Sequence, residues 1–241
     1  TKPAETAESA TKAADAAAQE AAEAHADLAL ITTATAESPI RIAFYRKAWN
    51  TDLTSVELKI FHAGEPVSLS QRVPLLENLG FSVVSEQTHD LTLVGLDGEQ
   101  RRVILHDMEL RQRDGQEVNL ARLSPMLEEA FLAAWHGEVD DDASRAAWRG
   151  EGGSGGLTRL ILTAGLSARE IMALRTYSRY LRQTGIAYSQ GYIADTLNKY
   201  PHIAANLFRL FDTRLDPKLS DRQREKKSTE VAAAIEEALA S

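Results

Sequence analysis

The sequence predicts an α+β fold: a small, mostly antiparallel α/β sandwich followed by an all-α helical bundle. Three observations carry this. Hydrophobicity alternates with period two over several stretches between Ile40 and Gln112. From Val118 onward the apolar residues recur at helical spacing instead. Hydrophobic residues make up 44% of the 241 residues, enough to bury a sizeable core.

Four pieces follow in order. Residues 1–38 are an Ala-rich lead-in, helical or disordered. Alanine favours helix, but few large apolar groups are present, so a helix here is marginal or borrowed from a neighbour. Residues 39–117 form the α/β module. "IRIAFYRKA" alternates Ile40, Ile42 and Phe44 with Arg41, Ala43 and Tyr45, as a half-buried strand does. "SVELKIFHAG" repeats the pattern with Val56, Leu58 and Ile60, and Gly64 and Pro66 break it. "SLSQRVPLLENLG" reads as a short helix capped by Ser70, with Pro74 in its first turn and Gly80 as its stop. Its Leu76 and Leu79 are expected to pack against the sheet. "FSVVSEQTHDLTLVG" and "RRVILHDMELRQ" are two more strands, joined by a turn at Asp97-Gly98.

Residues 118–217 form the helical domain. Leu123, Leu127, Phe131 and Trp135 share one face of its first helix. Ser167 and Glu170 form a capping box at the start of "SAREIMALRTYSRYLRQTG". Ile171, Leu174, Tyr177 and Leu181 are read as that helix's apolar face, and Arg175, Arg179 and Arg182 as its solvent face. Two further helices follow, separated by Pro201. Residues 218–241 make a last, connector helix.

Charge is unevenly spread. The chain carries a net −8, which argues against general nucleic-acid affinity, yet residues 157–227 alone carry +7. Five of the six tyrosines lie in this basic stretch, at 177, 180, 188, 192 and 200. Tyrosine on a basic surface suits single-stranded nucleic acid. The apolar register favours packing instead, with each hydroxyl at the edge of the core. There is no cysteine, hence no disulfide framework and no thiolate metal site. No apolar run reaches the roughly 20 residues that span a bilayer, and the start lacks a signal-peptide pattern. A cytoplasmic protein without nucleic-acid or membrane partners is expected. The first residue is not Met, as in a fragment.

Chemical motifs are few. Gly150, Gly152 and Gly155 match the dinucleotide-binding glycine pattern, but no strand precedes them, and Glu170 already serves the capping box. The six histidines lack zinc-ligand spacing. His106 and Asp107 are neighbours on a strand and face opposite sides, so they cannot form a triad. "VDDDAS" lacks the glycine and the closing glutamate of a calcium loop. No catalytic residue, metal ligand or cofactor-binding residue is assigned. The loop "HAGEPVSLSQ" is the one candidate site. It leads into a helix N-terminus, where backbone N–H groups and the helix dipole suit a carboxylate. Gly64, Ser68, Ser70 and Arg72 are the candidate residues for a small amino-acid effector.

Two stretches together resemble one family. "EPVSLSQRVPLLENLGFSVVSEQ" with "ILHDMEL" resembles the last small α+β module of the large NAD-specific glutamate dehydrogenases of bacteria. "LTRLILTAGLSAREIMALRTYSRYLRQTGIAYSQGYIADTLNKYPHIAANLFRLFDTRLDP" resembles the helical region that follows it. The resemblance spans residues 40–215 and rests on long runs in the right order. It implies an ACT-like, amino-acid-sensing module, and a helical region leading into a C-terminal catalytic domain that carries the NAD site. It implies that the full-length protein uses NAD to deaminate glutamate oxidatively, while this segment holds no cofactor and assembles with its own catalytic domain and with neighbouring subunits. The longer, glycine-rich loop "SRAAWRGEGGSGG", residues 144–156, and the Ala-rich start depart from the family. The alternative is a free-standing amino-acid sensor with a helical output domain.

Overall fold

A computed structural model describes residues 17–18, 21–34, 38–47, 49–94, 98–136 and 156–240. The Gly150–Gly155 motif, the "VDDDAS" loop and Asp97 lie outside these residues. Helix α1 covers residues 21–32. Strands β1 (Ile40–Tyr45) and β2 (Ser55–Ala63) follow, then helix α2 (Leu69–Leu79) and strands β3 (Phe81–Val94) and β4 (Gln100–Gln112). Helix α3 is Leu120–Trp135. A 3-10 turn, Leu157–Arg159, leads into α4 (Leu160–Ala164), α5 (Ala168–Gln183), α6 (Gln190–Lys199), α7 (Pro201–Leu215) and α8 (Asp221–Ala240). The four strands form one antiparallel sheet in the order β1-β2-β4-β3. The class is α+β, as the pattern predicts.

Contacts divide the chain into two compact units. The first comprises residues 1–68 and 84–110, and the second comprises residues 69–83 and 111–241.

In the first unit β1 and β2 run antiparallel, with Ile40 opposite His62 and Tyr45 opposite Glu57. β1 alternates buried and part-exposed residues, as its sequence implies. β2 does not: seven consecutive residues, Ser55 to Phe61, are buried. The expectation of a half-buried strand is corrected here, and the reason is its place in the sheet. β2 is central, between β1 and β4. The face carrying Ser55, Glu57, Lys59 and Phe61 also receives α1. Ile31 of α1 joins Phe61 and Val103 in one cluster, flanked by Leu91, Leu93 and Leu105. Asp27 of α1 pairs with Lys59 at 2.7 Å. Arg41 and Arg101 hold the end of α1 through the carbonyls of Thr33 and Ala34.

In the second unit α2 packs on α3, the 3-10 turn and α4. Leu76 is fully buried and Leu79 is 3% exposed. α2 starts at Leu69, before Ser70, so Pro74 falls at its sixth residue and not in the first turn. Ser70 therefore lies inside the helix and does not cap it. Gly80, at φ +97°, ends the helix as expected. Arg113 pairs with Glu77 at 2.8 Å, Arg159 pairs with Asp114, and Thr158 Oγ1 donates to the Asn78 carbonyl at 3.1 Å. α7 and α8 pack through Ile203, Leu207 and Leu210 against Val231, Ile235 and Ala238, a stripe of spacing four and three on each helix.

α5 opens with the expected capping box, Ser167 with Glu170. Its buried stripe differs from the expectation. Ile171, Leu174, Arg175 and Ser178 are buried, whereas Tyr177 is 48% exposed. The stripe is rotated from the one that hydrophobicity alone suggests. Arg175 is 2% exposed, so its guanidinium is buried along with its stem, and a small serine at 178 lets a neighbouring element approach. Tyr177 instead sits at the flank, its ring edge-on to Phe211 of α7 at 5.6 Å. Arg179 is exposed, as read.

Leu76→Ala should destabilise the chain by about 2–5 kcal/mol, the usual loss for a core leucine. Leu174→Ala should fall in the same range. Tyr177→Ala should lose only about 0.5–1.5 kcal/mol, the worth of one aromatic pair. Urea denaturation of the three variants makes the comparison. A Tyr177→Ala loss equal to that of Leu174→Ala would contradict the observed stripe.

Candidate functional site

The loop after β2 starts with Gly64 at φ +94°, a region that disfavours side chains. Its N–H donates to the Arg102 carbonyl at 3.0 Å. A Cβ built there meets nothing within 4 Å, so backbone conformation, not crowding, demands glycine. Ser68 is exposed. Between them Val67 is buried, and its N–H donates to His106 Nε2 at 3.2 Å. His106 is 1% exposed, and its Nδ1 lies 3.1 Å from Glu86 Oε1. Thr88 Oγ1 donates to the same carboxylate oxygen at 3.1 Å. Because Nε2 accepts, the imidazole proton belongs on Nδ1, where it faces Glu86. The network fixes the ring and pins the loop one residue ahead of Ser68. His106 is thus structural, and Asp107 points to the other face of its strand.

Ser70 and Arg72 belong to the second unit. They are two residues apart on α2, about 200° around its axis. Ser70 is exposed and Arg72 is 3% exposed. The helix does not present the two on one face.

A second polar group lies on the α1-facing side of the first unit's sheet, and the sequence reading missed it. Lys59 Nζ, paired with Asp27, also stands 5.0 Å from the Tyr45 ring centre. Burial, aided by Asp107, Glu23, Glu57 and Asp27, pushes the Tyr45 hydroxyl above its ordinary range. Burial also raises the Glu57 carboxyl, although Lys47 at 3.9 Å opposes the shift. The available signal was the period-two set Ser55, Glu57, Lys59, which reads as a solvent face until α1 covers it. No nucleophile here has a base beside it, so the group has no evident acid–base chemistry.

Among the described residues no three His, Asp or Glu side chains could hold a metal ion, and no helix is long and apolar enough to cross a membrane. The doubly wound dinucleotide fold joins parallel strands through a glycine-rich turn, and the described sheet is antiparallel and is not that fold.

The fold is mixed α+β, a four-stranded antiparallel sheet with helices, and the comparisons with known proteins fit it. Residues 39–123 match the family model described as glutamate dehydrogenase, ACT3 domain, and residues 154–217 match that of glutamate dehydrogenase, helical motif 3. The NAD-specific glutamate dehydrogenase of Halomonas elongata is 35% identical over 180 residues, 75% of this chain and 10% of that protein. That of Pseudomonas aeruginosa is 32% identical over 211 residues, 87% of this chain and 12% of its own length. That of Mycobacterium tuberculosis is 29% identical over 220 residues, 89% of this chain and 12% of its own length. The chain belongs to the NAD-specific glutamate dehydrogenase family. It spans about a tenth of the length of these relatives.

The raised Glu57 carboxyl gives a pH-dependent expectation. A carboxyl that holds its proton more tightly when folded destabilises the fold once ionised. The penalty is absent below the ordinary carboxyl range and fully present above the raised folded value. Glu57→Gln should therefore raise the melting temperature at pH 7, by about 2–4 °C for each kcal/mol relieved. The gain should shrink toward zero near pH 4, about the unperturbed value. Thermal melts at both pH values test this, and a gain that grows on acidification would reverse the assignment.

Proposed function

We propose that this chain is a non-catalytic regulatory and structural segment of an NAD-dependent glutamate dehydrogenase. The complete polypeptide would convert L-glutamate to 2-oxoglutarate and ammonia with NAD. One observation carries the reading: the ACT3 and helical-motif matches follow one another within a single chain, in an order shared with long NAD-specific relatives. The first module and the helical domain would hold a catalytic domain and bias its activity. The last helix, α8, would connect to that domain, and neighbouring subunits would complete the assembly.

The effector reading rests on the exposed residue Ser68 and the open backbone turn at Gly64. A small amino acid would meet these groups weakly in the isolated segment, and more tightly when a neighbouring module supplies further contacts. Ser70 and Arg72 remain candidates from the sequence. Calorimetric titration of amino acids into the segment and into the full-length protein addresses this. Equal affinity in both would refute the need for a neighbour.

The purified 241-residue chain should not reduce NAD in the presence of glutamate, whereas the full-length polypeptide should. Absorbance of reduced cofactor is the readout. Turnover by the isolated chain would overturn the non-catalytic reading.

A further inference from the structure

The tyrosine-rich stretch is not packed as its apolar register implies. Tyr180, Tyr188 and Tyr192 are 60%, 58% and 56% exposed. The local geometry gathers apolar groups at the surface. α5 ends in a double hydrogen-bonded turn: Gly185 N–H donates to the Arg182 carbonyl at 3.2 Å, and Ile186 N–H donates to the Leu181 carbonyl at 3.4 Å. Gly185 is at φ +89°. This closure ordinarily brings the residue after the glycine onto the last apolar residue of the helix, here Ile186 onto Leu181. Such a pair normally shields itself, yet both residues stay 39% exposed. Two residues later Ser189 caps α6, accepting from the Tyr192 N–H at 3.1 Å. That cap aligns Tyr192 with Tyr188, and the rings stack at 4.9 Å and 19°. Every residue from Arg179 to Ser189 is exposed, Arg182 among them.

We propose that this rim, centred on Leu181, Ile186, Tyr188 and Tyr192 and edged by Arg179 and Arg182, is a docking surface. Its occupant is an apolar protein surface with an acidic border, contributed by the remainder of the same polypeptide. The proposal rests on the reading of the chain as a segment of a longer dehydrogenase. Exposed tyrosines and arginines around an apolar centre are the composition of interface hot spots. The cations lie in the stretch that carries +7, so charge complementarity calls for an acidic partner. About nine-tenths of the relatives' length lies outside the matched region, so most of the polypeptide is available to supply it. A symmetric contact with a second copy would bring two copies of the same basic rim together, which charge repulsion disfavours. Nucleic acid is disfavoured because the two rings already occupy each other's inner faces, and the chain as a whole is acidic.

The test uses the full-length polypeptide with Tyr188→p-benzoylphenylalanine, prepared as a mixture of isotopically light and heavy chains and irradiated. Expected are crosslinked peptides of one isotope only, joining position 188 to a region outside residues 1–241 that is bordered by Asp and Glu. Arg179→Glu with Arg182→Glu should lower that yield severalfold. Mixed light–heavy crosslinks would assign the rim to a second copy and overturn the proposal. Adducts to nucleic acid, or no adduct at all, would overturn it too. In the isolated chain, Tyr188→Ala with Tyr192→Ala should lower the melting temperature by only about 1–6 °C, because both rings are exposed and one stacked pair is all that is lost; a core-sized loss well beyond that would make them core and sink the idea. Glutamate turnover by the isolated chain would refute the non-catalytic reading and leave the crosslinking outcome untouched, so the two failures are distinguishable.

Discussion

The first unit depends on one constraint: β2 is buried along both faces. A central strand with Glu57 and Lys59 on one face cannot leave those charges unanswered once water is excluded. Lys59 is answered by Asp27 at 2.7 Å and by the Tyr45 ring. Asp27 lies 32 residues earlier in the chain, on an Ala-rich helix with few large apolar groups. The pair therefore does two things. It neutralises a cation that is 7% exposed, and it fixes where a weak helix docks. Ile31, one helical turn further on, then adds its apolar contact beside Phe61 and Val103. Glu57 is less well answered: burial raises its carboxyl, and Lys47 only opposes that shift.

This explains which parts of the fold were legible in the sequence. Strand order along the chain and the helix ends at Gly80 and Ser167 are local properties. Periodicity and cap chemistry specify them within ten or so residues. The packing of α7 on α8, a helix that reads from the sequence only as a connector, is not. The burial of Ser55, Glu57 and Lys59 is not local. It depends on a helix from a stretch whose composition argues for weak structure, and no window of β2 contains that information. Pro74's place in α2 is set by where that helix starts, at Leu69.

The candidate effector loop was legible as a turn and not as a constellation. Gly64 takes the left-handed backbone that its position between strand and loop suggested. Ser70 and Arg72, read as neighbours of one site, sit on opposite sides of a helix because it starts at Leu69. Consecutive helical residues stand about 100° apart around the axis, so once both lie inside the helix Ser70 and Arg72 diverge by about 200°.

Helix α5 shows the complementary failure, and it bears on function. Ranking residues by hydrophobicity puts Tyr177 inside and Arg175 outside, and the fold does the reverse. Hydrophobicity predicts the face that avoids water, but a segment of a larger protein has two such faces. One closes on its own neighbours, and small or long-stemmed residues such as Ser178 and Arg175 can line it. The other is left for whatever the rest of the polypeptide brings. A helical domain that kept all its aromatic rings inside would be complete by itself. This one places four tyrosines, at 177, 180, 188 and 192, close to or above half exposure while burying an arginine. That distribution is hard to reconcile with a domain that works alone, and it follows directly when the stable inner stripe and the aromatic outer rim serve different contacts.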